Sequence, residues 1–425
     1  MKLIVIGITD NPHSYFPPEV QEVISHGHIF SGGKRHHEIV ASLLPEDAVW
    51  IDITVPIEEV FKKYRSLGLG HIIVFASGDP LFFGFANTIR RMMPDAELQL
   101  FPTFNSLQLL AHRLLLPYHD MRIVSLTGRP WHEFDRALIE RAEKMGVLTD
   151  KEHTPAAIAQ RMLNYGYTNY TMYVGEHLGN PEKEKVTTLT LEEAASHSFS
   201  MPNCVILFTN YHELNMNTSQ IINANSWPIE GNSCSRDRVF GIPDQDFKLL
   251  DGREKMITKM PIRLLTIQAL DLPRRHVLWD IGACTGSVSI EARLLFPHLH
   301  IHAFEIRPEC KAIILENTRR HGAPGIHLHI GDFRSLCCDS IATPAPDAVS
   351  IGGHGGHLRE IMAKACQYLL PGGVIVMNSV KAPKVLTDSH QIWDEACREL
   401  GLTQEPPTRI LLNDNHPIEI LKCRK

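Results

Sequence analysis

The sequence predicts an α/β protein with two domains, and three observations support this fold class. Over residues 1–210, short apolar runs alternate with stretches that have helical spacing of apolar residues, as in proteins whose strands are joined by helices. The alternation stops over residues 211–240, which are rich in Asn and Ser, and resumes at Val277. A chain of 425 residues is also long for a single hydrophobic core. We therefore expect domains over 1–210 and 241–425, joined by a linker over 211–240.

The apolar runs of the first domain are short and rich in β-branched or aromatic residues, which favours buried strands. They predict strands over Leu3–Ile6, Ala48–Ile53, His71–Ala76, Leu98–Phe101, Arg122–Leu126, Gly146–Thr149, Tyr170–Val174 and Cys204–Phe208. The stretches between them predict helices over Pro18–Ser25, Lys34–Leu44, Pro56–Ser66, Phe85–Met93, Ser106–Leu116, Trp131–Lys144 and Pro155–Tyr165. This order predicts largely parallel sheets.

The second domain repeats the alternation of strand and helix. Its apolar runs predict strands over Val277–Ile281, Ile301–Glu305, Ile326–Ile330, Ala348–Gly352 and Val374–Asn378. With helices between them, these strands predict a doubly wound sheet.

Composition limits the classes of function. Hydrophobic residues make up 44% of the chain and charged residues 21%, which is ordinary for a soluble enzyme. The net charge of −6 disfavours a surface for nucleic acid. No apolar run approaches the ~18 residues of a membrane span, and the N-terminus reads as a strand rather than a signal segment. We expect a cytoplasmic protein with reduced cysteines, and no metal site, because neither the 9 cysteines nor the 24 histidines show metal-ligand spacing.

A glycine-containing turn marks the first candidate site. The segment Asp280–Gly286 follows an apolar run and precedes a stretch with helical spacing, which together make the usual cradle for a nucleotide-like ligand. Glu305 ends the next predicted strand, where its carboxylate can accept hydrogen bonds from both ribose hydroxyls. The pattern therefore predicts an adenosine-containing cofactor, and a dinucleotide is one alternative, as in an NAD(P)-dependent reductase.

The spacing of the turn resembles the first motif of class I S-adenosylmethionine-dependent methyltransferases. Gly331-Asp332 and Pro371–Gly373 stand where that family has its adenine contact and a late turn. The resemblance implies that S-adenosylmethionine is held by Asp280, Gly282, Ala283, Cys284, Thr285, Gly286, Glu305 and Asp332. Cys284 stands where glycine is common, so either the turn has a negative φ there or binding is weakened.

A second set of motifs narrows the resemblance. Gly241–Phe247, Ile257–Lys259 and the glycine cluster Gly352–His357 resemble the decarboxylating methyltransferases of the cobalamin pathway. This resemblance places Thr258 at the cofactor. It also makes Asp244, His354 and His357 candidates for catalysis, although a structural or substrate-orienting role is favoured for each.

The first domain carries a sharp motif at Ser77–Leu81, directly after a predicted strand. This motif resembles the signature of the tetrapyrrole methylases, a two-lobed α/β family that binds S-adenosylmethionine between its lobes. Matches at Gly7–Asp10, Pro102–Gln108, Leu126–Arg129, Leu148–Pro155 and Glu176–Gly179 support the resemblance. It implies cofactor contacts at Gly7, Asp79, Phe82 and Ser106, while Gly7-Ile8-Thr9 departs from the family's more frequent Gly-x-Gly-Pro.

The order of the two sets resembles the fused precorrin-6Y C5,15-methyltransferases (decarboxylating). That resemblance implies two S-adenosylmethionine sites, one per domain, and a precorrin or cobalt-precorrin substrate. The first domain would methylate C5, and the second would methylate C15 and decarboxylate the ring C acetate. It further implies a homo-oligomer with no nucleic-acid or membrane partner. Two competing hypotheses are an RNA methyltransferase and a pair of non-catalytic cofactor sensors.

Overall fold

The computed structural model describes residues 1–68, 70–209, 241–251, 253, 256–338, 343–380, 389–411 and 417–425. The predicted linker over 211–240 lies outside these residues. The chain divides into two compact units. Of the described residues, 1–129, 143–163 and 168–209 belong to the first unit, and 130–142, 164–167 and the residues from 241 onward belong to the second.

The first unit contains two five-stranded sheets. One has the order β3-β2-β4-β1-β5, and all its strands are parallel. Its strands are β1 (Lys2–Ile8), β2 (Ile29–Gly32), β3 (Val49–Asp52), β4 (His71–Ser77) and β5 (Glu97–Phe101). The helices along this part of the chain are α1 (Pro18–Ser25), α2 (Lys34–Val40), α3 (Ile57–Ser66), α4 (Phe85–Met92) and α5 (Ser106–Arg113).

The second sheet of this unit has the order β6-β7-β10-β8-β9, and it differs from the prediction of largely parallel sheets. Only β6 and β7 pair in parallel, and the other pairs are antiparallel. The strands are β6 (Arg122–Ser125), β7 (Lys144–Leu148), β8 (Tyr170–Glu176), β9 (Lys185–Leu189) and β10 (Asn203–Thr209). The helices along this stretch are α6 (His132–Ile139), which belongs to the second unit, α7 (Pro155–Asn164) and α8 (Leu191–Ser196). The helix predicted over Trp131–Lys144 ends at Ile139, because β7 begins at Lys144.

The second unit contains a seven-stranded sheet of order β13-β12-β11-β14-β15-β17-β16. The five predicted strands are present and parallel, and an antiparallel pair, β16 and β17, extends the sheet. The strands are β11 (Val277–Ile281), β12 (His300–Glu305), β13 (Ile326–Ile330), β14 (Ala348–Ile351), β15 (Val374–Val380), β16 (Thr403–Ile410) and β17 (Ile418–Arg424). The helices are α9 (Met260–Ala269), α10 (Ser287–Leu295), α11 (Cys310–Arg320), α12 (Leu358–Tyr368) and α13 (Ser389–Glu399).

The strand register brings the candidate motifs of each unit together. In the first unit, Ile8 pairs with Ser77, so the loops after β1 and β4 leave the sheet side by side. In the second unit, Ile281 pairs with both Phe304 and Ile351, so the loops after β11, β12 and β14 meet at one edge. Ligands of doubly wound sheets bind at such carboxyl edges.

Two candidate cofactor sites

The turn between β11 and α10 is held in an unusual backbone conformation. Gly282 and Gly286 have φ of +76° and +77°. A Cβ on Gly282 would lie 2.7 Å from the backbone N and O of Gly353. The two glycine-rich segments predicted from the sequence therefore touch, and only glycine at position 282 permits the approach.

Cys284 also adopts a positive φ, of +52°. This value rules out the first of the two alternatives, a negative φ, and the conformation costs about 1–2 kcal/mol in a residue with a Cβ. The amide of Cys284 donates to Glu305 Oε2 at 2.7 Å, and its thiol lies 3.0 Å from the Met256 carbonyl oxygen. Burial raises the pKa of the thiol, which disfavours a nucleophilic role.

Glu305 is a buried carboxylate with a full set of donors. It is 1% exposed and accepts hydrogen bonds from the amides of Cys284 and Arg307 and from the Arg307 guanidinium, at 2.7–3.1 Å. Burial alone would raise the pKa of Glu305, but the Arg307 donors and the Cys284 amide outweigh it and lower the pKa. Glu305 is therefore an anion, and the Arg307 side chain lies on the oxygens that ribose hydroxyls would use.

Two further residues of this turn are buried. The Asp280 carboxylate accepts a hydrogen bond from Ser289 Oγ at 2.6 Å, and burial raises the pKa of Asp280 to about 6. The Thr285 hydroxyl is buried and has no hydrogen-bond partner among the described residues. A buried hydroxyl of this kind is normally satisfied, so the turn has an unused polar group where a ligand is predicted. The residues present fit an adenosine-containing cofactor on these grounds.

Asp332 and His357 belong to one chain of ion pairs. Arg334 donates to Asp332 at 2.5 Å through Nη2 and to Glu360 at 2.8 Å through Nη1. Glu360 in turn lies 2.9 Å from His357 Nδ1. The Arg334 guanidinium lowers the pKa of Asp332. The structure thus places Asp332, the predicted adenine contact, in an ion pair with Arg334. Through Arg334 and Glu360, Asp332 is connected to His357, a candidate catalytic residue.

The other candidate residues of this unit have protein partners as well. His354 lies 3.2 Å from Ser389 Oγ through Nε2, and its Nδ1 accepts from the Gly356 amide at 3.1 Å. Asp244 accepts from the Met260 amide, at the start of α9, and from Arg263 Nη1. These bonds favour positioning roles over acid–base catalysis.

A buried ion pair that the sequence motifs did not indicate supports this site. Arg263 and Glu291 are 0% and 2% exposed and are bonded at 3.0 Å. Glu291 accepts from the amides of Gly241 and Ile242, and Arg263 donates to the carbonyl oxygens of Ile242 and Thr258. The pair therefore fixes both ends of the segment that carries Asp244 and Thr258. The sequence did offer one indication of this pair: Arg263 and Glu291 each stand among apolar residues within a helix, α9 and α10.

The candidate site of the first unit lies where three loops meet. A Cβ on Gly7 would lie 1.9 Å from the Gly78 carbonyl oxygen and 2.9 Å from the Thr103 amide. A cavity of about 200 Å³ adjoins this contact and is lined by residues 6–9, 11, 14–17, 20 and 101–103. Gly7 thus lies at the cavity, and its contact with a cofactor stays a prediction.

Asp79 and Phe82 lie on the loop after β4 and Ser106 at the start of α5, and none of the three lines this cavity. Asp79 accepts from the Leu81 amide at 2.8 Å and so shapes its turn. Phe82 packs edge-on against Phe83.

The start of α5 is defined by a reciprocal cap. The Asn105 side chain accepts from the Gln108 amide, and the Gln108 side chain accepts from the Asn105 amide, both at 3.0 Å. This capping box satisfies two otherwise free amides and fixes the helix end. Ser106 is thereby held at a defined place beside the loop after β5.

Two kinds of feature are absent from the described residues. No helix among them is long and apolar enough to cross a membrane. They also contain no group of three or more His, Cys, Asp or Glu side chains that could hold a metal ion.

Comparison with known proteins gives the class of the chain. Residues 2–195 match the family model of the tetrapyrrole (corrin/porphyrin) methylases, and residues 251–405 match that of the precorrin methyltransferase domain. These matches define a methyltransferase dependent on S-adenosylmethionine, with a tetrapyrrole methylase domain followed by a second methyltransferase domain.

The relatives identify the family. A precorrin-6Y C(5,15)-methyltransferase [decarboxylating] of Sinorhizobium sp is 30% identical over 91% of this chain and 87% of its own length. The chain belongs to the family of precorrin-6Y C(5,15)-methyltransferases (decarboxylating). The matches do not favour the hypotheses of an RNA methyltransferase or an NAD(P)-dependent reductase.

Two shorter relatives each match one part of the chain. A cobalt-precorrin-6B C(15)-methyltransferase (decarboxylating) of Salmonella typhi is 33% identical over 43% of this chain and 95% of its own length. A cobalt-precorrin-7 C(5)-methyltransferase of Salmonella typhimurium is 27% identical over 48% of this chain and 98% of its own length.

Proposed function

We propose that this chain performs two methyl transfers from S-adenosylmethionine to a precorrin or cobalt-precorrin ring, one on each unit. The first unit methylates C5. The second methylates C15 and removes carbon dioxide from the ring C acetate. The separate C(5)- and C(15)-methyltransferases among the relatives support this division, because each matches one part of the chain.

The turn at Asp280–Gly286 carries the proposal for the second unit. Its buried anion at Glu305, its glycine contact with Gly353 and its unpartnered Thr285 hydroxyl suit an adenosine-containing donor. Glu305 would hold the ribose, and the turn would hold the methionine portion through its backbone. Asp332 would hold the adenine after release from Arg334.

In the first unit, we assign the donor to the loops that meet at Gly7, Gly78 and Thr103. The close approach at Gly7 leaves no space for a side chain, so backbone groups are presented there. Asp79, Phe82 and Ser106 would complete this second site from the adjoining loops.

The residues of both sites act mainly by alignment. S-adenosylmethionine supplies a methyl group that is already activated on a sulfonium. The acceptor carbon of the electron-rich ring attacks in line, so the chain has to position the two partners and exclude water. Such a transfer requires no activated serine or cysteine nucleophile.

For decarboxylation, the conjugated ring provides the electron sink. We assign positioning roles to Asp244, His354 and His357, because the side chain of each already has polar partners within the protein. Burial lowers the pKa of His354, so it is neutral near pH 7 and suited to orient an acetate rather than to neutralise it.

The test is to incubate the full chain with a precorrin-6-type substrate and S-adenosylmethionine and to analyse the product by mass spectrometry. We expect a gain of two methyl groups and the loss of one carbon dioxide. Glu305→Gln should stop C15 methylation and decarboxylation and leave C5 methylation intact. Glu309→Gln, which changes an exposed carboxylate on the same loop, is the matched control and should leave both transfers intact.

Two results would contradict the proposal. Methyl transfer only to RNA or protein would exclude the tetrapyrrole substrate. Loss of both methylations in Glu305→Gln, with the control active, would exclude two independent sites.

A further inference from the structure

Five polar side chains converge at the carboxyl edge of the parallel sheet in the first unit, and the proposed function does not use them. We call them the Arg35 cluster: they are Asp10, Arg35, His36, Ser77 and His177. Asp10 is 8% exposed and accepts from Arg35 Nη1 at 2.5 Å and from His177 Nδ1 at 2.8 Å, one on each oxygen. Arg35 Nη2 donates to Ser77 Oγ at 2.9 Å, and His36 Nε2 lies 2.9 Å from the same oxygen.

The hydrogen bonds fix the tautomer of His36. Its Nδ1 accepts from the Gly33 amide at 3.2 Å, so in the neutral ring the proton lies on Nε2. Burial, followed by the charge of Arg35, lowers the pKa of His36 to about 4, which keeps the ring neutral near pH 7. His36 therefore donates to Ser77 Oγ. Ser77 Oγ thus accepts hydrogen bonds from Arg35 and His36, so the proton of its own hydroxyl points away from the cluster.

In this cluster the hydrogen-bond acceptors of Asp10 are all used, whereas some donors of Arg35 are not. Both oxygens of Asp10 are occupied by protein donors. Arg35 has five N–H groups, the cluster uses two of them, and its side chain is 37% exposed. What remains is a guanidinium with free donors beside a free hydroxyl proton on Ser77.

Such an arrangement suits one chemical class of ligand. A planar guanidinium with spare N–H groups binds a carboxylate in a two-pronged geometry, and a second donor beside it increases selectivity. Asp10 adjoins Thr9, which lines the cavity at Gly7, and Ser77 adjoins Gly78, which touches Gly7. The free donors therefore lie next to the loops assigned above to methyl transfer.

We propose that Arg35, oriented by Asp10 and Ser77, binds a carboxylate of the tetrapyrrole that is methylated at C5. This assignment rests on the proposed function, and it makes Arg35 a determinant of substrate specificity rather than of cofactor binding. The Ser77 hydroxyl is the second donor to the same carboxylate.

The experiment compares Arg35→Gln with Lys34→Gln in the full chain. Both changes remove one positive charge from the start of α2, but Lys34 is exposed and is not a member of the cluster. We expect Arg35→Gln to raise the KM for the tetrapyrrole in C5 methylation by about 10- to 100-fold, the effect of one lost charged hydrogen bond. Its kcat and its affinity for S-adenosylhomocysteine should stay within a few-fold of the unsubstituted protein. Lys34→Gln should leave all three quantities unchanged.

Ser77→Ala gives a second measurement that leaves the Asp10–Arg35 ion pair in place. We expect a smaller rise of KM, again without a change in cofactor affinity. An unchanged KM in Arg35→Gln would overturn the assignment. Equal loss of cofactor and substrate binding in both variants would also overturn it, because it would assign the cluster a structural role. Absence of C5 methylation by the unsubstituted chain would instead refute the proposed function.

Discussion

The buried pair Arg263–Glu291 offers a sharp test of how the second unit is held together. Replacing a buried ion pair with apolar residues of similar size is often neutral or stabilising, whereas removing one partner alone costs about 3–5 kcal/mol. Here the two side chains bond not only to each other but also to the backbone. They bond two backbone amides and two carbonyl oxygens, at Gly241, Ile242 and Thr258.

We therefore predict that the double variant Arg263→Met with Glu291→Leu is strongly destabilised. Three buried backbone groups, at Gly241 and Ile242, and the partly buried carbonyl of Thr258 would lose their partners, at about 1 kcal/mol or more each, or about 4 kcal/mol in total. For a unit of this size, 1 kcal/mol shifts the melting temperature by about 2–4 °C. The expected decrease is thus about 8–16 °C for the transition of the second unit, measured by calorimetry.

The control is Glu399→Gln, which breaks one exposed ion pair, with Arg359. Exposed pairs contribute about 0–1 kcal/mol, so its melting temperature should fall by no more than about 4 °C. A double variant as stable as the unsubstituted chain would refute the reasoning. It would mean that the segment from Gly241 to Thr258 is held by other contacts.

Three further predictions concern the same unit. Arg307→Ala should increase the affinity for S-adenosylhomocysteine by about tenfold, because the guanidinium occupies the Glu305 oxygens; calorimetric titration showing equal or weaker binding would contradict this. Cys284→Gly should raise the melting temperature by about 2–4 °C, since relief of the positive φ contributes about 1 kcal/mol; a decrease would show that the turn is unstrained. Burial, with the neighbouring histidines, lowers the pKa of His302 to about 3, below the ~6.5 of the unfolded chain. The contribution of neutral His302 to the free energy of unfolding should therefore be fully present above about pH 6.5 and be lost as the pH falls towards 3. The melting temperature of His302→Phe should fall less over that range than that of the unsubstituted chain, and parallel pH profiles would contradict the assignment.

The sequence allowed prediction of most of the buried strands, because their apolar runs are rich in β-branched and aromatic residues. It did not reveal β2, which is only four residues long and ends in Gly32. It missed the mostly buried strand β17, in which Glu419 and Lys422 interrupt the apolar run. It also missed β9, which is largely exposed at a sheet edge, and β16, which contains two prolines. Edge strands of this kind lack the apolar pattern on which such predictions depend.

In the candidate sites, too, some features could be predicted from the sequence and others could not. The turn at Asp280–Gly286 and the acid at Glu305 are local patterns and could be recognised from spacing. The occupation of Glu305 by Arg307 depends on a side-chain conformation, and the Arg35 cluster joins residues from four distant segments. Only the folded sheet brings Asp10, Ser77 and His177 together, so no spacing along the chain could have indicated it.

The chain of polar contacts from Asp332 through Arg334 and Glu360 to His357 affects how substitutions there should be interpreted. Members of one ion-pair network do not contribute additively. Removing His357 changes the partners left to Glu360 and thus the hold of Arg334 on Asp332. A loss of activity in His357→Ala would therefore mix an effect on the glycine cluster with an effect on the adenine contact. Only a complete double-mutant cycle with Asp332 separates the two.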